Sequence, residues 1–79
     1  MKRVAYTRAA AGDLRGYRAD MDRIMAKIER YAATGEGDTK ALKGSASLRL
    51  RVGAFRVIFE VTADAIIVTK VGPRGDIYD

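Results

Sequence analysis

The 79-residue sequence predicts an α+β fold in which a two-helix hairpin packs on one face of an antiparallel sheet. Between residues 8 and 34, apolar side chains recur at helical spacing. From residue 48 onward the period changes to two, which is typical of strands. At this length residues 1–79 form a single domain with a thin core.

The chain begins with a predicted strand over residues 2–6, because Val4 and Tyr6 fall on one side of an alternating pattern. Thr7 follows as a predicted N-cap, since its hydroxyl can accept a hydrogen bond from a free N–H of the first turn. The first helix is expected over residues 8–15.

A second helix is predicted over residues 19–34, with Asp20 as its N-cap and Gly35 as its stop. The evidence is an apolar stripe at i, i+3, i+4 and i+7 spacing, formed by Met21, Ile24, Met25, Ile28 and Ala32. A stripe of this kind is core far more often than it is a partner groove.

Three strands follow a loop over residues 35–44 and form a C-terminal meander. Residues 48–52 alternate in polarity, and residues 55–62 are rich in β-branched and aromatic side chains, with Gly53-Ala54 as a hairpin turn between them. Residues 65–71 are nearly all apolar, as expected for a strand covered on both faces. The helices must cover one face of this sheet, which leaves the other face without cover.

Composition narrows the available chemistry. The chain has no cysteine and no histidine, so disulfides, thiol nucleophiles, imidazole acid–base catalysis and the common transition-metal sites are excluded. No metal or other cofactor is expected. No apolar run is long enough to span a membrane, and the N-terminus lacks a signal-type apolar stretch, so we expect a soluble cytoplasmic protein.

Positive charge is concentrated in the second half of the chain. Fifteen Lys and Arg against ten Asp and Glu give a net charge of +5, and residues 40–59 contain no acidic residue. Arg49 and Arg51 point to the same side of their strand, and the parity of the next strand allows Arg56 to join them. Such a group of like charges favours an anionic ligand, although an ordinary solvated face also accommodates arginine.

The C-terminal segment follows the most apolar strand. Its glycines and Pro73 predict a turn that holds Arg74 near the sheet, and Tyr78 follows close to the chain end. Arginines can stabilise developing charge on a phosphate, and RNA supplies its own 2′-hydroxyl nucleophile. Arginines and one tyrosine therefore suffice for RNA cleavage, and equally for RNA binding alone.

Three motifs resemble the RelE/ParE superfamily of bacterial toxins, and most closely its RelE branch. They are LKG at residues 42–44, LRLRVGAFRVIFEV at residues 48–61 and VGPRGDIY at residues 71–78. The resemblance covers nearly the whole chain and implies a RelE-like fold. It also implies a ribosome-dependent endoribonuclease that cuts mRNA in the decoding site and is neutralised by an antitoxin.

The resemblance also implies roles for individual residues. Arg49 matches a basic position that binds the RNA backbone and supports proton transfer, and Arg56 matches the contact to the scissile phosphate. Arg74 matches the residue that stabilises the transition state, and Tyr78 matches a tyrosine that orients the reacting groups. The expected catalytic set is Arg49, Arg56, Arg74 and Tyr78, and the expected RNA-binding set is Lys43, Ser47 and Arg51.

The sequence is compatible with other functions of the same fold. Ser47 stands where the best-studied branch has a lysine, and the chain lacks the C-terminal helix of many relatives. A gyrase poison of the ParE type, or a decayed toxin that only binds antitoxin or RNA, would share the fold. The expected partners are a cognate acidic antitoxin, in a hetero-oligomer, and the ribosome with its mRNA, without a membrane. Alanine at Arg56 or Arg74 is expected to abolish growth arrest with folding intact.

Overall fold

A computed structural model describes residues 2–75 and confirms the α+β class. The N-terminal strand, both helices and the three-strand meander are present. In chain order the elements are β1 (Arg3–Tyr6), α1 (Arg8–Gly16), α2 (Arg18–Thr34), β2 (Asp38–Ala41), β3 (Leu48–Val52), β4 (Phe55–Val61) and β5 (Ala65–Pro73).

The sheet has five strands in the order β1-β5-β4-β3-β2. It is mixed, whereas the sequence predicted an antiparallel sheet. β1 pairs with β5 in parallel, whereas the other three pairings are antiparallel. The segment predicted as a loop contains β2, a short strand on the edge beside β3. Its sequence, Asp-Thr-Lys-Ala, lacks the apolar alternation that identifies a strand, because an edge strand needs little apolar surface.

The start of α1 agrees with the prediction, whereas the start of α2 differs from it. The Thr7 hydroxyl accepts a hydrogen bond from the Ala10 N–H at 3.1 Å, which confirms the N-cap. α2 begins directly after Tyr17, so the prediction of Asp20 as its N-cap is wrong. Tyr17 stands between the two helices, and its ring packs edge-on against Phe55 with 5.1 Å between the ring centroids. Gly35 ends α2 in the left-handed region, as expected.

Both helices lie on one face of the sheet and enclose the core. Ile24, Ile28 and Ala32 of the predicted stripe are buried, and Met21 and Met25 pack against them. The sheet contributes Leu50, Val52, Val57, Phe59, Ile66, Val68 and Val71 to the same cluster. Within residues 2–75, neither helix is both long and apolar enough to cross a membrane.

A β-bulge interrupts the pairing of β4 with β5. Ile58 pairs with Lys70 and Phe59 pairs with Val68, so Thr69 is an extra residue on β5. This insertion allows Val68 and Val71 to face the helices although they are three positions apart. A carboxylate oxygen of Asp13, on α1, accepts a hydrogen bond from the Val71 N–H at 2.9 Å and links the helix layer to the bulge.

Replacing Asp13 with alanine should lower the free energy of unfolding by about 1–3 kcal/mol, because it leaves the part-buried Val71 N–H without its acceptor. Asp13→Asn keeps an acceptor oxygen of the same shape and should lose less. Urea denaturation of both variants measures this difference. Equal stability of Asp13→Ala and the unmodified chain would show that the bond contributes nothing.

The buried hydroxyl of Tyr6 has no hydrogen-bond partner among residues 2–75. Burial raises the pKa of this hydroxyl above the ordinary tyrosine value of 10.0, and the Glu29 carboxylate raises it further. The folded state therefore holds the phenolic proton more tightly than the unfolded state does. Folding stability that depends on this proton is present below about pH 10 and is lost as the pH rises through the folded-state pKa.

Tyr6→Phe should leave the free energy of unfolding unchanged or raise it by about 1 kcal/mol, because it removes a buried polar group without a partner. The variant should also lack the part of the alkaline stability loss that the Tyr6 hydroxyl causes. Denaturation curves recorded from neutral to alkaline pH measure both effects. A clear loss of stability at neutral pH would mean that the hydroxyl makes a favourable contact.

Candidate functional site

Cationic side chains collect on the face of the sheet that is opposite the helices. Strand register and alternation place Arg3 of β1 on this side, at the sheet edge, where it pairs with Asp64 at 3.8 Å. They also place there a group of five cations from the other four strands. We call this set the basic face: Lys40, Arg49, Arg51, Arg56 and Lys70. Two acidic residues, Asp38 and Glu60, share the same side, so positive charge is in excess.

The register brings the three predicted arginines together, as their sequence parity indicated. Arg51 and Arg56 are direct cross-strand partners, which places their Cβ atoms roughly 5 Å apart. Arg49 lies two residues from Arg51 along β3, at a spacing of about 7 Å. Like charges directly opposite one another destabilise a sheet, so the two guanidiniums need anionic or carbonyl partners.

The expectation that this face is open is wrong at Arg56, which is only 4 % exposed. Its guanidinium bends against the β3–β4 hairpin and donates through Nη1 to the carbonyls of Gly53 and Phe55, at 3.1 and 3.0 Å. Arg49 is half-buried and Arg51 is exposed. The face is therefore accessible around Arg51, Lys40 and Lys70, and closed at Arg56.

Arg74 is held beside the sheet, as the turn after β5 predicted. Its N–H donates to the Ala54 carbonyl at 2.8 Å, next to the pairing of Pro73 with Phe55. The Arg74 residue is exposed. Tyr78, the fourth member of the expected catalytic set, lies outside the described residues.

Lys43 and Ser47 lie in the connection between β2 and β3. Lys43 is exposed in a turn, and Ser47 is half-buried just before β3. The Ser47 carbonyl accepts a hydrogen bond from the Leu42 N–H at 3.1 Å. Alternation along β3 gives Ser47 the same side as Arg49, so it borders the basic face, whereas Lys43 stands in the turn beyond the end of β2.

The sequence reasoning missed two members of the basic face. Lys40 had been placed in a loop, but it is the cross-strand partner of Arg49. Lys70 belonged to a strand expected to be covered on both faces, yet it is exposed and Ile67 and Thr69 are only half-buried. A lysine within an otherwise apolar strand was the available signal for this open side.

The chemistry of the basic face is electrostatic. A guanidinium stays protonated in proteins, so arginine binds phosphate oxygens and stabilises developing negative charge, and it is a poor proton acceptor. Among residues 2–75, no three Asp or Glu side chains are grouped as they would be to hold a metal ion. The face therefore offers positive charge to an anionic ligand.

Solved structures with the same fold are toxins of toxin–antitoxin pairs. The chain is 30% identical to a chain of the RelB–RelE antitoxin–toxin complex from Methanococcus jannaschii, with 95% of each chain covered and a TM-score of 0.72. The RelE–RelB complex from Pyrococcus horikoshii OT3 gives 24% identity, 96% and 98% coverage and a TM-score of 0.75. The Escherichia coli DinJ–YafQ complex gives 11% identity, full coverage of both chains and a TM-score of 0.80. No protein-family model and no curated protein matches the chain.

Proposed function

The chain belongs to the RelE/ParE superfamily of toxins, and from that membership we propose that it is a toxin that cuts ribosome-bound mRNA. The observation that carries this proposal is the basic face. Its cations converge from β2, β3, β4 and β5, and the exposed ones, Lys40, Arg51 and Lys70, repel one another. A polyanionic strand lying on the sheet would remove that repulsion.

In the proposed reaction the RNA supplies the nucleophile. The 2′-hydroxyl attacks the adjacent phosphorus, the bond to the 5′-oxygen breaks, and the products are a 2′,3′-cyclic phosphate and a 5′-hydroxyl. Arg49 binds the RNA backbone, and Arg74 stabilises the charge that develops on the phosphate. Tyr78 orients the reacting groups, and Lys43, Ser47 and Arg51 bind neighbouring parts of the RNA.

Arg56 has a conditional place in this scheme. The family resemblance assigns it to the scissile phosphate, but it is nearly buried and bonded to the hairpin carbonyls. Contact between Arg56 and a phosphate therefore requires this part of the face to rearrange when RNA binds. Until then Arg56 braces the hairpin that joins β3 to β4.

We further propose that the chain acts in the cytoplasm and is held inactive there by an acidic antitoxin in a hetero-oligomer. The structures from Methanococcus jannaschii, Pyrococcus horikoshii and Escherichia coli are toxin–antitoxin complexes, which supports this assignment. The physical basis is twofold. An acidic segment would neutralise the basic face, and binding to the folded state would stabilise a small domain.

Induced expression in a bacterial host tests the proposed function against its two alternatives. Rapid loss of amino-acid incorporation, before any change in DNA synthesis, is the expected result. A DNA-damage response with filamentation would instead indicate a gyrase poison. Normal growth with folded protein present would indicate a module that binds without cutting. The feature that favours this alternative is Ser47, which stands where the best-studied branch has a lysine.

A further inference from the structure

We propose that Lys70 is an RNA phosphate-binding residue, placed on the basic face by the β-bulge at Thr69. This inference rests on the proposed function and extends it to a residue that the family resemblance does not assign. Three features support it: the register of β5, the hydrogen bonds that hold the bulge and the position of Lys70 among the other cations.

The register shows what the bulge changes. Directly before the bulge along β5, Val68 pairs with Phe59, and both side chains face the helices. If the same sequence continued in regular pairing with no bulge, the next pairs would be Ile58 with Thr69 and Val57 with Lys70. Because Val57 is fully buried against the helices, the lysine would then point into the core. The insertion of Thr69 instead pairs Lys70 with Ile58, on the open side.

Several hydrogen bonds hold the bulge in place. The Thr69 hydroxyl donates to the Ile58 carbonyl at 3.2 Å, and the Thr69 carbonyl accepts from the Thr7 hydroxyl at 3.4 Å. The Thr7 N–H donates to the Val68 carbonyl at 3.0 Å, and Asp13 accepts from the Val71 N–H. The direction of Lys70 is therefore set from both layers of the fold. Bulges with such support commonly re-aim a side chain beside an active site.

The surroundings of Lys70 suit an anion. It is exposed, and its side chain forms no hydrogen bond or ion pair with any of residues 2–75. Its cross-strand partner Ile58 is paired in turn with Arg49, so Lys70 and Arg49 lie in one row of the sheet on either side of an apolar residue. Arg56 is its diagonal neighbour, at roughly 7–8 Å. An ammonium at this point continues the positive field of β3 onto β5.

The salt dependence of RNA binding tests this role. The probe is a short fluorescent single-stranded RNA with 2′-O-methyl riboses, which the proposed reaction cannot cut. The matched variants are Lys70→Met and Lys27→Met, since Lys27 is an exposed lysine on α2, in the helix layer. Each variant removes one positive charge, so any change in general attraction is the same for both.

Lys70→Met should bind the probe about tenfold more weakly, as expected for the loss of one charged hydrogen bond. The slope of log K against log salt should become shallower by about 0.7, the value for one single-strand phosphate contact. Lys27→Met should keep the full slope, and Lys70→Arg should restore it. Equal slopes for Lys70→Met and Lys27→Met would overturn the phosphate-binding role of Lys70 and leave the proposed function untouched. No binding of the unmodified chain at low salt would instead overturn RNA binding by the basic face as a whole.

Discussion

Replacing Arg74 with alanine should lower the rate of cleavage of ribosome-bound mRNA by about 100- to 1,000-fold, the usual cost of losing one preorganised group that stabilises a transition state. Folding should be unaffected, because Arg74 is exposed and its one hydrogen bond among residues 2–75 is made by the backbone N–H. The measurements are the single-turnover cleavage rate and the thermal unfolding temperature of the same preparation.

The matched control for Arg74 is Arg18→Ala. Arg18 is an exposed arginine at the start of α2, and it forms no hydrogen bond or ion pair through its side chain within residues 2–75. It lies in the helix layer, away from the basic face. If Arg74→Ala cleaves mRNA as fast as Arg18→Ala, the assignment of Arg74 to the transition state is wrong.

Replacing Arg56 with alanine should abolish growth arrest and also lower the free energy of unfolding by about 2 kcal/mol. The structural effect arises because the carbonyls of Gly53 and Phe55 lose a charged donor in a part-buried setting. The sequence alone had predicted that folding would stay intact. The burial of Arg56 changes that expectation.

Arg56→Lys separates the two effects. Lysine keeps the positive charge and can still donate to the hairpin carbonyls, but it lacks the planar fork that binds two phosphate oxygens. We therefore expect stability closer to that of the unmodified chain and a loss of cleavage of about tenfold or more. Full cleavage activity in Arg56→Lys would show that Arg56 acts only as a structural brace.

Much of the fold could be predicted because local patterns and tertiary packing agree. Thr7 caps α1 as its hydroxyl suggested, and the α2 stripe forms the core. The pairing of Arg51 with Arg56 followed from a hairpin turn at Gly53-Ala54 and from strand parity. Gly53 adopts a positive φ of 58°, and Ala54 does not have a positive φ. This is the pattern of a two-residue type II′ hairpin turn, which has glycine at its first central position.

The errors arose where distant contacts override local signals. α2 begins after Tyr17, whose ring packs on the distant Phe55, and β2 pairs with the edge of β3 although its own sequence lacks a strand pattern. Similarly, the bulge at Thr69 depends on side chains more than 50 positions away, namely Thr7 and Asp13. Because that bulge decides which side Lys70 takes, simple alternation along β5 could not place it.

The site shows the same division. Parity identified Arg49, Arg51 and Arg56 as one group, but the amount of each side chain that solvent reaches depends on how the guanidinium bends. The Arg56 guanidinium donates to carbonyls of its own hairpin. No sequence pattern predicts whether a guanidinium binds a backbone carbonyl or extends into solvent.

The most direct test of the account is to map mRNA ends after adding the purified chain to ribosomes stalled on a defined message. Cleavage within the codon of the decoding site, with a 2′,3′-cyclic phosphate on the upstream fragment, is the predicted result. Arg74→Ala should leave the same message intact, whereas Arg18→Ala should cut it. An intact message with the unmodified, folded chain bound to the ribosome would contradict the claim that the basic face cleaves RNA.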